Sequence, residues 1–387
     1  MASERSRFDF IANRLRQIKQ ENLYRNLRSI TVSGTTAIVD GEKKIHLCSN
    51  DYLGLSSNSL VRRLARTSIG GVSPCSSRLI AGNNPAITGL EAALATHRNC
   101  EASLVYPTGY MANFGAITAL ADENTTILSD ELNHASIIDA CRLSGAEIRV
   151  FRHNDTDHLE SIMRGASGRT LVVTEGVFSM DGDVAELKEL VRIARKLGAL
   201  TLVDDAHGDF IFGEKYSGIP SSLGVEVDVH VSSLSKGLGC FGGYVASSRR
   251  VIDFLINTSR QFIYTSAIPA HLCSAAVQAI KLAKRGNLQK HLSRNIDHLK
   301  GELGDAGFVL GSTVSQIMPI IVGSEEKAVK FSSELLDRGV LAQAVRYPTV
   351  KKGAARLRLS VTAAHTTRQL ANATKALRAA GKTAGVI

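Results

Sequence analysis

The stretch TLVVTEGVFSMDGDVAELKELVRIARKLGALTLVDDAHG, residues 170–208, decides the fold. TLVVTEG (170–176) is a short, mostly apolar run with β-branched residues and no polar alternation, which predicts a strand buried on both faces. In VAELKELVRIARKLG (184–198) the apolar residues recur at three- and four-residue spacing, the signature of an amphipathic helix. LTLVDDAH (200–207) is a second buried strand that ends in two aspartates and a histidine. Strand, helix and strand in one short stretch predict a crossover unit with parallel strands.

The same alternation continues outward. ASLVYP (102–107), TTILSD (125–130), EIRVFR (147–152) and VDVHVSS (227–233) read as further buried strands, and GYMANFGAITALA (109–121) as a helix between two of them. The expected architecture is α/β, a mostly parallel sheet with helices on both faces, whose ligands sit beyond the carboxyl ends of the strands. The flanks differ in pattern. Residues 1–48 give a charged amphipathic helix and a small hairpin-like segment, TTAIVDGEKKIHLCS; 49–285 form the large domain. Residues 286–387 alternate helical stretches (290–306, 325–338, 366–380) with strand-like IMPIIVG and RLRLSVTA, as a small C-terminal α/β domain does.

Composition narrows the function classes. The 387 residues are 44% hydrophobic, enough for one large core and a smaller one, yet no apolar run of membrane-spanning length occurs and MASERSRFDF is charged. A soluble cytoplasmic protein is expected, with no membrane association. The six cysteines (48, 75, 100, 141, 240 and 273) form no paired spacing, which argues against a disulfide framework and against a metal site. The net charge is +10, but the basic residues are dispersed, with no block longer than Lys351-Lys352 or Arg249-Arg250, and aromatics make up only 5%. Specific nucleic-acid binding is therefore not expected; a small polyanionic substrate such as a nucleotide-tailed thioester gains from the same field.

Chemistry gathers where the strands end. Asp204 either caps the following turn or, as a carboxylate in a low-dielectric pocket, keeps a heteroaromatic ring nitrogen protonated, with His207 three residues on able to touch the same ligand. VVTEGVFSMDGD supplies Glu175, Ser179, Asp181 and Asp183 among glycines, and DELNHASIIDA offers His134 just before a helix. Thr108-Gly109-Tyr110 falls where a strand yields to a helix, so free backbone N–H groups can receive a phosphate. HVSSLSKGLG (230–239) sets Lys236 in a loop of small residues. Alone it reads as a surface charge; beside the other groups it reads as a nucleophile.

In this order the sequence resembles the α-oxoamine synthases, pyridoxal phosphate enzymes of the aspartate aminotransferase-like fold (fold type I). The resemblance runs from LCSNDYLGL (47–55) through SDELNHASIIDA, HND, VVTEGVFSMDGD, VDDAHG, SLSKGLGCFGGY and IYTSAIP to RLRLSVTAAHT, nearly the whole chain. It implies a seven-stranded, mostly parallel sheet in the large domain. It implies Lys236 as the residue holding pyridoxal 5'-phosphate covalently, Asp204 as partner of the ring nitrogen, His207 and Ser179 at the ring oxygen, and His134 stacked on the ring face. Gly109, Tyr110 and Ser233 are implied at the phosphate, with Thr265 and Ser266 reaching it from a second subunit of a homodimer. Arg358 is implied at the amino-acid carboxylate, Asn50 near the same end, and Arg346 and Thr349 on the substrate side. The substrates implied are a small amino acid and an acyl thioester of coenzyme A or of a carrier protein.

Within the family, VVTEGVFSMDGD and FIYTSAIP point to the branch that joins L-alanine to a pimeloyl thioester with loss of carbon dioxide; the branch that acetylates glycine, or another α-oxoamine synthase, is the alternative, and a catalytically silent partner subunit of the same fold or a basic binding protein is the non-enzyme one. Several positions depart from the family pattern. SPCSSRLIAG (73–82) replaces a glycine-rich run, Ile87 stands where a histidine is common, and Asp209 and Phe210 stand where small or hydroxylated residues are usual. Tyr24 occupies the place of an arginine that meets the acyl carboxylate, leaving Arg25 or Arg28 to serve.

Overall fold

The computed structural model describes residues 7–67 and 71–387; residues 1–6, the start of the charged N-terminal segment, lie outside them. By its internal contacts the chain divides into two units. One contains residues 50–293 and 362–364, the other residues 1–49, 294–361 and 365–387.

The larger unit is built on a seven-stranded sheet. In spatial order its strands are Ala102–Tyr106, Gly243–Ser247, Val229–Ser233, Leu200–Asp204, Arg169–Glu175, Thr125–Asp130 and Glu147–Phe151. Only Gly243–Ser247 runs antiparallel to its neighbours. Side-chain alternation explains why the central runs are apolar throughout. Ile127, Leu171 and Val173 join one buried cluster with Ile117, Ile137 and Ile252, whereas Leu128 and Val172 join a second with Leu159, Leu190 and Val191. A strand buried on both faces can leave neither set of alternate positions polar. Each such aliphatic side chain removed from water contributes roughly 1.5–3 kcal/mol.

The helices on these faces follow the expected stretches. Gly109–Leu120, Ala135–Ser144 and Leu187–Lys196 are α-helical, the last starting three residues later than its periodicity predicts. The delay has a local cause. Residues 176–185 close on themselves, with Val177 bridging Val184 and the Phe178 N–H donating to the Asp183 carbonyl at 2.9 Å. The strand Gly243–Ser247 escaped the sequence reading because its first residue is a glycine and its run is short. Packing requires that glycine, since a Cβ there would lie 2.4 Å from the backbone nitrogen of Gly109.

The division of the flanks differs from the three segments expected. Ile30–Ser33, Thr36–Val39 and Glu42–His46 form an antiparallel meander, and Val340–Leu341 adds to it in parallel through Ile45 and His46. The N-terminal segment thus completes a sheet with the C-terminal part of the chain instead of standing as a separate element, and the boundary lies at 293/294, within the helix Asn287–Asp305, not at 285. A second sheet of three antiparallel strands, Ile317–Gly323, Ala355–Ser360 and Gln343–Val345, belongs to the same unit. Helices Glu325–Asp337 and Thr367–Ala384 supply Phe331, Leu335, Leu370 and Leu377 to its core, and the second opens with a reciprocal cap between Thr366 and Gln369.

Candidate active site

The strands Arg169–Glu175, Leu200–Asp204 and Val229–Ser233 bring their carboxyl ends together, and the polar residues that follow each run converge there. Lys236 sits in a tight loop after the last of them. The Leu234 N–H donates to the Gly242 carbonyl (2.9 Å) and the Gly239 N–H to the Lys236 carbonyl (3.0 Å). Gly239 has φ 59° and its missing Cβ would fall 2.5 Å from the Asp51 carboxylate, so this turn admits only glycine.

Lys236 Nζ lies 2.9 Å from His207 Nε2, and the other ring nitrogen, Nδ1, lies 2.6 Å from the Tyr52 hydroxyl. Tyr52 donates its single proton to Asn50 Oδ1 at 3.1 Å. The Nδ1 position must then carry the histidine proton and give it to the tyrosine oxygen, which leaves Nε2 as an acceptor facing the lysine amine. His207 and Tyr52 are 4% and 0% exposed, so water does not compete for these bonds.

Asp204 is equally constrained. Its Oδ2 accepts from Asn113 Nδ2 at 2.6 Å and its Oδ1 from the Ala206 N–H at 2.9 Å. The Ala206 bond is the turn cap that the sequence allowed; the Asn113 bond is an added anchor. Asn113 also donates to Ser136 Oγ (3.0 Å), which meets His134 Nδ1 at 2.8 Å. His134 caps the helix Ala135–Ser144 through the Ser136 N–H, and burial pushes its pKa down. A neutral imidazole at a helix start suits stacking on a ring. Glu175, one strand over, is 2% exposed; burial, and next the charge of Asp204, push its pKa well above the usual carboxylate range.

A phosphate cradle stands at the start of the helix Gly109–Leu120. Thr108 caps the helix, and a Cβ on Gly109 would lie 3.0 Å from that of Ser233. The Ser233 and Ser235 hydroxyls are 2.8 Å apart beside it. Free N–H groups, two hydroxyls and space kept by glycine fit an anion. Tyr110 follows Gly109 in this helix, but its half-exposed side chain donates to Asp139 at 2.8 Å and stacks on Phe114. Its contribution to the cradle is therefore its backbone. Ring carboxylate, ring-facing histidine, amine and anion cradle together fit pyridoxal phosphate. Two buried acceptors here, Asn113 Oδ1 and Glu175 Oε1, have no protein partner.

The unusual Asp209 and Phe210 are explained by a residue that the sequence reading left out. His97 stacks on Phe210 at 3.9 Å and 5° and bonds Asp209 through Nε2 at 2.9 Å. Arg98 reaches Asp205 at 3.0 Å and Asp209 at 3.3 Å, and Tyr244 donates to Asp209. All of these groups are buried. Burial opposes the Asp209 charge, but Arg98 and then His97 outweigh it and hold its pKa at about 2, whereas burial pushes Asp205 up to about 7. This cluster fixes the turn between Asp204 and His207 from behind. Ile87, also unusual, is fully buried in the helix Pro85–Arg98.

Of the other residues singled out, Ser179 is 7% exposed in the closed loop after Glu175. Thr265 is half-buried and Ser266 exposed, the latter bridging Ser77 next to the π-helical turn Arg78–Gly82. Arg25, Arg346, Thr349 and Arg358 belong to the other unit. There Arg25 donates to the Tyr347 carbonyl (3.2 Å), Arg346 to the Asn22 carbonyl, and Arg358 to Ser360 Oγ (2.9 Å). Arg25, Arg28, Arg346 and Thr349 line a cavity of about 600 Å³ together with Ser332 and Ser333. Tyr52, Asn113 and Ser235 were missed; the available signals were a tyrosine inside SNDYLGL and one amide on the mostly apolar GYMANFGAITALA.

Residues 42–377 match the family described as Aminotransferase class I and II. The 8-amino-7-oxononanoate synthase of Thermoanaerobacter pseudethanolicus is 39% identical over 98% of each chain, and that of Citrifermentans bemidjiense 40% identical over 97% of this chain and 99% of its own. Among solved structures, a serine palmitoyltransferase from S. paucimobilis with pyridoxal phosphate and myriocin bound superposes with a TM-score of 0.93 at 30% identity, covering 100% of both chains. Fold, strand-end chemistry and full-length similarity agree: this chain belongs to the class I and II aminotransferase family, in its α-oxoamine synthase branch of pyridoxal phosphate-dependent acyltransferases.

Proposed function

We propose that the protein joins L-alanine to a pimeloyl thioester, releasing carbon dioxide and the thiol and forming 8-amino-7-oxononanoate, a precursor of biotin. The observation that carries this reading is the 39–40% identity to synthases of that name over 97–98% of the chain. The strand-end constellation supports the chemistry.

Pyridoxal phosphate, when bound, supplies an electron sink for negative charge at the amino acid's α-carbon. Asp204, fixed by Asn113 and Ala206, keeps the ring nitrogen protonated. Lys236 would hold the cofactor covalently and, as a free amine, would take the α-proton at Nζ; His207 Nε2, 2.9 Å away, orients that amine. Ser179 and His207 would meet the ring oxygen, His134 would cover the ring face, and Gly109, Tyr110, Ser233 and Ser235 would bind the phosphate.

Arg358 grips the amino-acid carboxylate with its two-pronged guanidinium, with Asn50 at the same end. The cavity lined by Arg25, Arg28, Arg346 and Thr349 suits the free carboxylate of a dicarboxylic acyl chain, because three guanidinium groups and several hydroxyls face one space. Burial, and next the Arg25 charge, push the Arg346 pKa down against the opposing charge of Glu325. The active unit is a homodimer in which Thr265 and Ser266 reach the partner's phosphate site. The exposed Phe8, Phe10, Ile11 and Leu15 at the N-terminal helix Asp9–Gln20 support an apolar surface that a second copy covers. The thioester carrier is coenzyme A or a carrier protein.

The test is product identification by mass spectrometry from L-alanine with pimeloyl-coenzyme A. Turnover confined to glycine with acetyl-coenzyme A, or to serine with a long-chain thioester, refutes the assignment.

A further inference from the structure

The dipeptide His153-Asn154 lies outside the constellation above, yet it binds three segments together. His153 Nδ1 is 3.1 Å from Asp130 Oδ1 at the end of the strand Thr125–Asp130, and its Nε2 is 2.7 Å from Asp183 Oδ2 in the loop that carries Ser179. A ring bonded to carboxylates through both nitrogens is an imidazolium. Its edge packs on Phe178, the residue before Ser179, at 4.4 Å and 88°. Asn154 donates to the Val184 carbonyl (3.1 Å) in the same loop and accepts from the N–H of Glu186 (3.1 Å) just after it, while its own N–H donates to Asp130. It does so with φ 55°, a conformation asparagine tolerates better than most residues.

Residues 176–185 are tied to each other by the Val177–Val184 bridge and by the Phe178 N–H to Asp183 and Gly182 N–H to Phe178 bonds, both 2.9 Å. Those bonds shape the loop, and the Gly176 N–H donates to the Asp204 carbonyl (2.8 Å) at its start. His153 and Asn154 attach its far side, at Asp183 and Val184, to the strand end at Asp130.

We propose that His153 and Asn154 are positioning residues that lock the loop 176–185 against the strand end at Asp130 and so hold Ser179 where it meets the cofactor ring. The inference rests on the reading of Ser179 as a cofactor contact. His153 touches neither cofactor nor substrate and acts through Asp183.

Two readouts test it. In the cofactor-free protein, His153→Gln is expected to raise amide hydrogen exchange across 176–185 by about tenfold or more, with the strand Arg169–Glu175 unchanged. In a Lys236→Ala background, where pyridoxal phosphate binds without a covalent bond, His153→Gln is expected to weaken its affinity by about tenfold, the loss of one charge-assisted contact. Asn154→Gly keeps the left-handed backbone and the ion cluster, and is expected to move both readouts in the same direction; it serves if His153→Gln does not fold. Faster exchange with unchanged affinity overturns the proposal, as does unchanged exchange. If the Lys236→Ala parent takes up no pyridoxal phosphate, the cofactor reading of Ser179 falls and this inference with it; if the parent binds and the loop variants bind equally well, only this inference falls.

Discussion

Glu175 and Asp204 stand opposite each other on adjacent parallel strands, both buried, and each carboxylate oxygen of Asp204 accepts a hydrogen bond while Glu175 Oε1 accepts none. Two adjacent buried carboxylates do not both ionise; the better-bonded one keeps the charge. Glu175 is therefore the neutral acid of the pair. Glu175→Gln, which preserves a neutral planar group, is expected to keep pyridoxal phosphate binding and turnover within about threefold, whereas Glu175→Ala leaves buried groups unpaired at about 1–3 kcal/mol. Isotope-edited infrared spectroscopy of the cofactor-free protein should find a protonated carboxyl band that Glu175→Gln removes; its absence at neutral pH refutes the neutral acid.

Lys236→Ala is expected to abolish covalent attachment and turnover without unfolding the protein, because the residue lies in a loop at the strand ends. Borohydride reduction followed by peptide mass mapping checks this, and label retained elsewhere with full activity sinks the role. Asp204→Asn is expected to retain the cofactor and lose most turnover, since an amide cannot hold the ring proton; unimpaired turnover rules that role out.

Tyr52 fixes which nitrogen of His207 carries the proton. Tyr52→Phe removes a bond worth about 0.5–1.5 kcal/mol, so kcat is expected to fall roughly two- to tenfold with a displaced pH–rate profile and little change in cofactor affinity. An unchanged profile would show that the tyrosine merely packs.

The cluster behind the site carries stability. Burial keeps the His97 pKa low, so its ring serves Asp209 as a neutral donor; His97→Ala removes both the stack on Phe210 and that bond and is expected to cost about 1.5–3 kcal/mol by urea denaturation, as for a hydrogen bond to a buried charge. Asp209 has its folded pKa depressed to about 2, so its contribution is present above the unfolded value of about 3.9 and lost as pH falls through about 2. The stability difference between wild type and Asp209→Asn should accordingly narrow as the solution is acidified below about pH 4. A constant difference contradicts the charge assignment.

His153 gives the opposite sign. Burial opposes its charge, but hydrogen bonds and charges from Asp130 and Asp183 hold its folded pKa at about 10, and Glu131 accepts its backbone N–H. A raised folded pKa contributes stability that is full below about pH 6.5 and lost as pH rises through about 10. The gap in melting temperature between wild type and His153→Gln should be widest near pH 6 and close towards pH 10. A gap that widens with pH would mean the ring is neutral.

Lys236, Asp204, His207 and the Gly109 turn were legible because each follows a run whose apolarity identifies it as a buried strand, and polar residues after such runs must lie at the sheet's carboxyl end. Asp209 and Phe210 were visible only as anomalies. Their meaning depends on His97, 112 residues away from Asp209, and nothing local to either residue announces the other. The grouping of residues 1–49 with the C-terminal part was equally hidden, since two residues of parallel pairing at Val340–Leu341 leave no periodic trace.

Local order along the chain determined the strand–helix alternation, the family and the residues that can carry charge or a proton, because side-chain period and residue chemistry are properties of the sequence itself. Tertiary packing alone decided which of those groups are paired. Asn113 meets Asp204 across 91 residues and Tyr52 meets His207 across 155, and only folding excludes the water that would otherwise satisfy each of them separately.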